Sequence, residues 1–159
     1  MGNYQQELKK ARAYAFLLLK FRLRSEYELS ERLKRKKFNQ EIIRKTIVFL
    51  KEKKFLDDEF FARSWVNSRI KKPLGLRRLK QELMAKGIAD QTIEEQLASI
   101  KNNYSEKEVV SGIIQERLSK LKRIEPQNAK RRTFAYLLRR GFSPGIVSEC
   151  LNQPTGTSA

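Results

Sequence analysis

Residues 29–50, LSERLKRKKFNQEIIRKTIVFL, are echoed fifty positions later by residues 79–100, LKQELMAKGIADQTIEEQLASI. The shift lays Leu29, Leu33, Phe38, Ile43, Ile47 and Leu50 on Leu79, Leu83, Ile88, Ile93, Leu97 and Ile100. A further shift of 54 carries Leu83, Gly87, Ile88, Ile93 and Leu97 onto Leu137, Gly141, Phe142, Val147 and Leu151. Within each copy the apolar positions recur every three to five residues, the spacing of one helix face. Each copy therefore reads as a helix, a turn at Lys36-Lys37-Phe38, Lys86-Gly87-Ile88 or Arg140-Gly141-Phe142, and a second helix that must pack on the first. A longer helical pattern precedes each pair, as in Leu8, Ala11, Ala15, Leu18 and Leu19. The chain is expected to be all-α, with three tandem three-helix repeats at 1–56, 57–104 and 105–151 and a flexible tail over 152–159. A repeat of this size has little core of its own, so neighbours must supply the rest; helices laid side by side at about 9 Å make an elongated array.

The local signals agree with helices throughout. Ser25 with Glu28, and Ser105 with Glu108, have capping-box spacing, which lets each side chain satisfy the other residue's free N–H. Asp57, Asp58 and Glu59 place negative charge where a helix start presents unpaired donors. Ser143-Pro144 reads as an N-cap and first-turn proline, and Gly87 and Gly141 as left-handed helix stops. Pro73-Leu74-Gly75 interrupts the second repeat. No segment of useful length alternates with a strand's period of two.

The chain has 159 residues, 35 Lys plus Arg against 18 Asp plus Glu, and a formal net charge of +17. Such an excess implies a polyanionic partner, nucleic acid before acidic protein or a membrane surface. With no His and one Cys, Cys150, a His-based triad, a Cys/His zinc site and an internal disulfide are excluded. The most apolar stretch, Ala13 to Leu19, is too short to span a bilayer. A soluble, reduced, cytoplasmic protein is expected, with no cofactor, no metal and no membrane partner.

Basic residues exceed acidic ones by ten in 1–56, two in 57–104 and five in 105–159. They cluster at Arg32 to Lys37, at Lys71, Lys72, Arg77 and Arg78, and at Lys130, Arg131, Arg132, Arg139 and Arg140. Clusters at corresponding places in three repeats point to phosphate or acidic-surface contact. The competing reading is a solvated helix face carrying i,i+4 pairs Glu28–Arg32, Glu31–Arg35 and Glu82–Lys86. Phe16, Phe21, Phe49, Phe55, Phe60, Phe61, Trp65 and Tyr136 sit in apolar helical patterns and read as core rather than as a base-stacking platform. Tyr4, Tyr27 and Tyr104 are freer to lie at the surface. Asp57 and Asp58 read as helix caps rather than catalytic carboxylates, and Cys150 as a small core residue. The glycines form neither GxGxxG nor a Walker loop. The third helices begin Asn39-Gln40-Glu41, Asp90-Gln91-Thr92 and Ser143-Pro144-Gly145, without the arginines of an operator-reading helix.

An ordered set of segments carries a more specific likeness: Ala11-Arg12-Ala13-Tyr14-Ala15, Leu18-Leu19, Arg22, Arg24-Ser25, Glu28-Leu29 and Leu33 in the first repeat. Phe55-Leu56-Asp57-Asp58 with Phe61-Ala62, Gly75-Leu76, Glu82-Leu83, Lys86-Gly87-Ile88 and Arg139-Arg140-Gly141-Phe142-Ser143 continue it in order. In these the chain resembles the RecX regulators of the RecA recombinase. The resemblance implies an elongated, curved array of three three-helix repeats that binds the RecA filament and both single- and double-stranded DNA. It implies a non-enzymatic regulator that inhibits RecA ATP hydrolysis, strand exchange and coprotease activity by blocking filament extension or promoting disassembly. The residues expected to touch RecA or DNA are Arg22, Arg24, Arg32, Arg35, Lys71, Lys72, Arg77, Arg78, Arg131, Arg132, Arg139 and Arg140. A monomer is expected, and a general DNA-binding protein without RecA dependence is the alternative. Lys37 stands where the family carries glycine, so a tighter or strained turn is expected there.

Overall fold

Ser25 accepts the Glu28 N–H on its side chain while the Glu28 carboxylate accepts the Ser25 N–H, closing the capping box that starts the second helix. Asn39 caps the next helix through the Ile42 N–H at 2.8 Å, and Asp57 caps the one after through the Phe60 N–H at 3.0 Å. Ser105 caps its helix through the Glu108 N–H, but only that half of the expected box forms. Ser143 occupies the N-cap position ahead of Pro144 without a side-chain bond. Glu125, which the sequence did not single out, caps the helix begun by Pro126.

The computed structural model describes residues 2–153. They form nine helices and no strand: α1 Gly2–Phe21, α2 Glu26–Arg35, α3 Gln40–Glu52, α4 Asp58–Arg69, α5 Leu76–Ala85, α6 Asp90–Ile100, α7 Glu106–Lys120, α8 Pro126–Arg139 and α9 Pro144–Asn152. The expected tandem three-helix organisation is present. Asn152 closes α9, and residues 154–159 of the expected tail lie outside the described residues.

Two compact units emerge. The first comprises the chain up to Trp65 with Leu83–Glu94; the second comprises Val66–Glu82 with Glu95 onward. In the first, α1, α2 and α3 enclose Leu8, Ala11, Ala15, Leu18, Leu29, Leu33, Ile43, Ile47 and Leu50, the residues that the helical periodicity selects. In the second, α7, α8 and α9 enclose Val110, Ile114, Leu137, Phe142, Val147, Cys150 and Leu151. Cys150 is a buried core residue, as read, beside the Ser111 hydroxyl.

One joint occurs in each unit. In the first, the Ser25 hydroxyl at the start of α2 donates to the Lys86 carbonyl at 2.6 Å, and the next residue of that turn, Gly87, has φ 72. In the second, the Gly75 N–H at the start of α5 donates to the Arg140 carbonyl at 2.9 Å, next to Gly141 with φ 85. Positions 25 and 75 correspond in the repeat, as do 86 and 140, so a second helix is seated on the stop turn of the following repeat's second helix. Glycine is required twice over: φ is left-handed, and a Cβ at Gly87 would lie 2.3 Å from Tyr27 Cβ. Lys37, at the matching position of the first repeat, adopts φ 65 and is exposed. The turn is thus strained as expected, yet it tolerates a side chain because no helix start among the described residues is seated on it.

Asp57 and Asp58 divide their work. Asp57 caps α4, whereas Asp58 accepts the Glu26 N–H at 2.8 Å and so caps α2. Burial raises the Asp58 carboxyl above its ordinary pKa, against the lowering effect of that bond. Ser25 is wholly buried and uses its hydroxyl as both donor and acceptor. Ser25→Ala is therefore expected to lower the unfolding free energy by about 2 kcal/mol, read as a shift in the urea midpoint without a change of slope.

Several aromatic residues differ from their reading. Phe61 is buried, but Phe21, Phe55 and Phe60 are 77%, 56% and 49% exposed, and Phe16 is on the surface side of its helix. Once Phe61, Ala62 and Val66 turn inward on α4, the adjacent Phe60 is rotated about 100° away from the core. Phe55 lies in the turn beyond α3, after helical periodicity has ended. Tyr104 is not free: its hydroxyl donates to the Leu74 carbonyl at 2.6 Å, and burial pushes its pKa up to about 12. That bond fixes the Pro73-Leu74-Gly75 interruption ahead of α5.

Candidate nucleic-acid interface

Arg22 and Arg24 lie on the four-residue connection into α2, and Arg32 and Arg35 lie one turn apart on α2 itself. Together with Tyr27, Glu28 and Glu31 they line one cavity of about 280 Å³. Tyr27, Glu31 and Arg35 share a helix face at i, i+4, i+8 spacing, which is why Tyr27 belongs to the site. The sequence marked Tyr27 only as free for the surface, and its spacing from Arg35 was the available signal.

The charge balance of this cavity is decided by what its two carboxylates already hold. Glu28 accepts from Arg22 at 3.0 and 3.1 Å, from Lys86 at 2.6 Å and from the Ser25 N–H at 3.3 Å. Burial by itself would raise the Glu28 carboxyl; the bonds from Arg22, Lys86 and Ser25 outweigh it and hold the pKa at about 2. Lys86 is held in turn over the Trp65 ring, 4.9 Å from its centroid. Glu31 pairs with Lys34 at 2.8 Å. The expected pairs Glu28–Arg32 and Glu31–Arg35 are therefore absent, and neither arginine meets a carboxylate among the described residues. Glu82 and Lys86 also take other partners: Glu82 holds Arg69 at 2.9 Å and Arg78 at 3.3 Å. Arg24 donates to the Leu18 carbonyl and pairs with no carboxylate. Burial lowers its pKa, and the neighbouring Arg22 and Arg32 charges lower it further, against a raising effect from Glu28. It remains charged at neutral pH, since a guanidinium starts so high. Like charges crowded without counter-charge are the electrostatic condition for binding an anion.

Glu28 gives this arrangement a pH signature. Its folded pKa lies below the ordinary 4.5, so its contribution to stability is fully present above that value and is lost as pH falls towards 2. Glu28→Gln is expected to remove about 1–2 kcal/mol at pH 7 after allowance for solvent screening. It should also flatten the loss of stability between pH 5 and pH 2, measured by urea unfolding across that range.

The second unit distributes its basic residues differently. Arg78 on α5 lies against the Gly141 backbone, and its Nη1 approaches the Arg139 carbonyl at 3.5 Å. Arg78, Arg139 and Arg140 are thus brought together at the joint between the start of α5 and the end of α8. Arg140 extends over the Tyr136 ring, which also carries Arg117 at 3.8 Å from its centroid. Arg131 lines a groove of about 340 Å³ between α8 and α9 with Gln127, Asn128, Lys130, Phe134 and Ser148. Lys71, Lys72, Arg77 and Arg132 are exposed and line neither cavity. Among the described residues no acidic or cysteine cluster could hold a metal ion, and no helix is long and apolar enough to cross a membrane.

Comparison with known proteins places this geometry. Residues 11–50, 57–97 and 108–151 match the family models described as the first, second and third three-helix domains of RecX. Regulatory protein RecX of Bacillus subtilis (strain 168) is 34% identical over 152 residues, which cover 95% of this chain and 57% of that protein. This chain therefore spans little more than half the length of that relative. Regulatory protein RecX of Amycolatopsis mediterranei (strain U-32) is 32% identical over 144 residues, 90% of this chain and 82% of its own. A crystal structure of RecX from Lactobacillus salivarius has the same fold, with a TM-score of 0.81 at 21% identity over 92% of this chain and 96% of that one. Three matched domains in order, a relative 32% identical over 82% of its own length and a shared fold lead to one conclusion: this chain belongs to the RecX family.

Proposed function

We propose that this chain is a non-enzymatic regulator, acting in the cytoplasm as a monomer, that binds RecA filaments on DNA and limits their activity. By this reading it reduces ATP hydrolysis, strand exchange and coprotease activity by blocking filament extension or promoting disassembly. The observation that carries it is the cavity of Arg22, Arg24, Arg32 and Arg35, where Glu28 is taken by Arg22 and Lys86 and Glu31 by Lys34, which leaves Arg24, Arg32 and Arg35 without counter-charges. Phosphates of a DNA backbone supply such counter-charges, and their binding releases condensed cations. Lys71, Lys72, Arg77, Arg78, Arg131, Arg132, Arg139 and Arg140 are proposed as further contacts to DNA or RecA.

The same cavity also suits a general DNA-binding protein with no RecA dependence, and salt separates the two readings. If about six phosphates are neutralised, affinity for bare DNA falls with salt at a log–log slope of roughly −5. Fluorescence anisotropy on a labelled oligonucleotide, free or coated with RecA, measures both affinities at each salt concentration. Retention on RecA-coated DNA at salt that abolishes binding to bare DNA supports the regulator. Equal loss on both supports the general binder.

A further inference from the structure

Beside the arginine cavity, on the same compact unit, lies a second concavity of different chemistry. Its volume is about 300 Å³, and its walls include Leu19, Leu23, Phe55, Phe60 and Phe61. Three of these are large apolar side chains left in water: Leu23 at 47%, Phe55 at 56% and Phe60 at 49% exposure. Phe55 is held in place by Phe16, whose ring meets it edge-on at 5.0 Å. Phe61 is fixed from behind by stacking on Trp65 at 5.8 Å. Exposed apolar side chains gathered in one concavity, rather than scattered singly, mark an interaction site.

The rim defines what fits. Arg24 and Lys54 line the groove and pair with no carboxylate among the described residues. The acidic residue in the wall, Asp57, accepts the Phe60 N–H, so its charge is placed on the start of α4. We propose that this groove docks a segment of a protein partner that carries an apolar anchor side chain flanked by carboxylates. A protein side chain is the better occupant than a base, because Leu19 and Leu23 stand in the wall beside the rings and offer no face to stack on. An apolar anchor instead removes the exposed rings from water, while carboxylates on either side meet Lys54 and Arg24, the guanidinium that lines both concavities. The inference deepens the proposed function by assigning protein contact to this groove and phosphate contact to Arg32 and Arg35 of the arginine cavity, and it rests on that reading.

The test uses the full chain, the Phe55→Ser/Phe60→Ser double variant and, independently, Leu23→Ser. Urea midpoints verify that each variant is folded, as the exposure of these residues predicts. Affinity for a bare single-stranded oligonucleotide is measured beside half-inhibition of ATP hydrolysis by RecA assembled on single-stranded DNA. The expected result is bare-DNA affinity within twofold of the parent and a half-inhibition concentration raised at least tenfold. If DNA affinity falls in step with inhibition, bases occupy the groove and the inference is overturned; unchanged half-inhibition overturns it as well. If the parent chain itself does not inhibit, the proposed function fails, a result distinct from a parent that inhibits and a variant that inhibits equally.

Discussion

Gly75→Ala is expected to lower the unfolding free energy by about 3 kcal/mol or more, far beyond what adding one methyl group at a helix start ordinarily does. The added Cβ would stand 2.1 Å from the Gly141 carbonyl oxygen and 2.3 Å from the Phe142 backbone nitrogen. These are backbone atoms of a left-handed turn that is itself pressed against Arg78, so neither side can yield by rotating a side chain. Relief would separate the start of α5 from the end of α8 and break the Gly75 N–H bond to the Arg140 carbonyl. Lys37→Gly provides the opposite case. It relieves a positive φ on a turn that carries no seated helix, so a change of about 1 kcal/mol towards greater stability is expected. Chemical denaturation of both variants checks the pair; a Gly75→Ala loss below about 1 kcal/mol would mean that the joint is slack.

Arg32→Ala with Arg35→Ala is expected to weaken DNA binding at least tenfold and to make the log–log salt slope shallower by about 2. Both side chains are exposed and neither pairs with a carboxylate among the described residues, so their removal leaves the fold intact. The matched control is Lys107→Ala with Lys120→Ala, which removes the same formal charge from residues bonded to Glu149 and Glu116. If net charge alone governed binding, the two double variants would weaken it equally. Anisotropy titrations at three or more salt concentrations give affinity and slope together.

The repeat, its helices and their stops were legible because each rests on local chemistry: apolar spacing along one face, a capping side chain, a residue able to take positive φ. The near-fifty-residue offset that lays Leu29 on Leu79 and Gly87 on Gly141 follows from that chemistry being used three times. What the offset does not contain is the seating of Ser25 on the Lys86 carbonyl and of Gly75 on that of Arg140, since both bonds join residues about sixty positions apart.

The arginine cavity was half legible. Charge density picked out Arg32 and Arg35, but the i,i+4 rule assigned them to Glu28 and Glu31. That rule describes an isolated helix in water. Within the folded unit Glu28 sits partly buried where Arg22 and Lys86 reach it with several bonds at once, and those tertiary partners displace the exposed Arg32. The exposed Phe55 and Phe60 escaped for a related reason: composition and periodicity assign an aromatic residue to a core without revealing that Phe61 and Ala62 have already filled the inward face of α4.

Titration of this chain into RecA assembled on single-stranded DNA, with ATP hydrolysis as the readout and an unrelated protein of similar net charge as control, tests the proposed regulation most directly. Inhibition at amounts well below one molecule per RecA protomer, absent with the control, is the predicted result. A change in hydrolysis no larger than the control's would contradict it and leave the arginine cavity to a DNA-binding protein that acts without RecA.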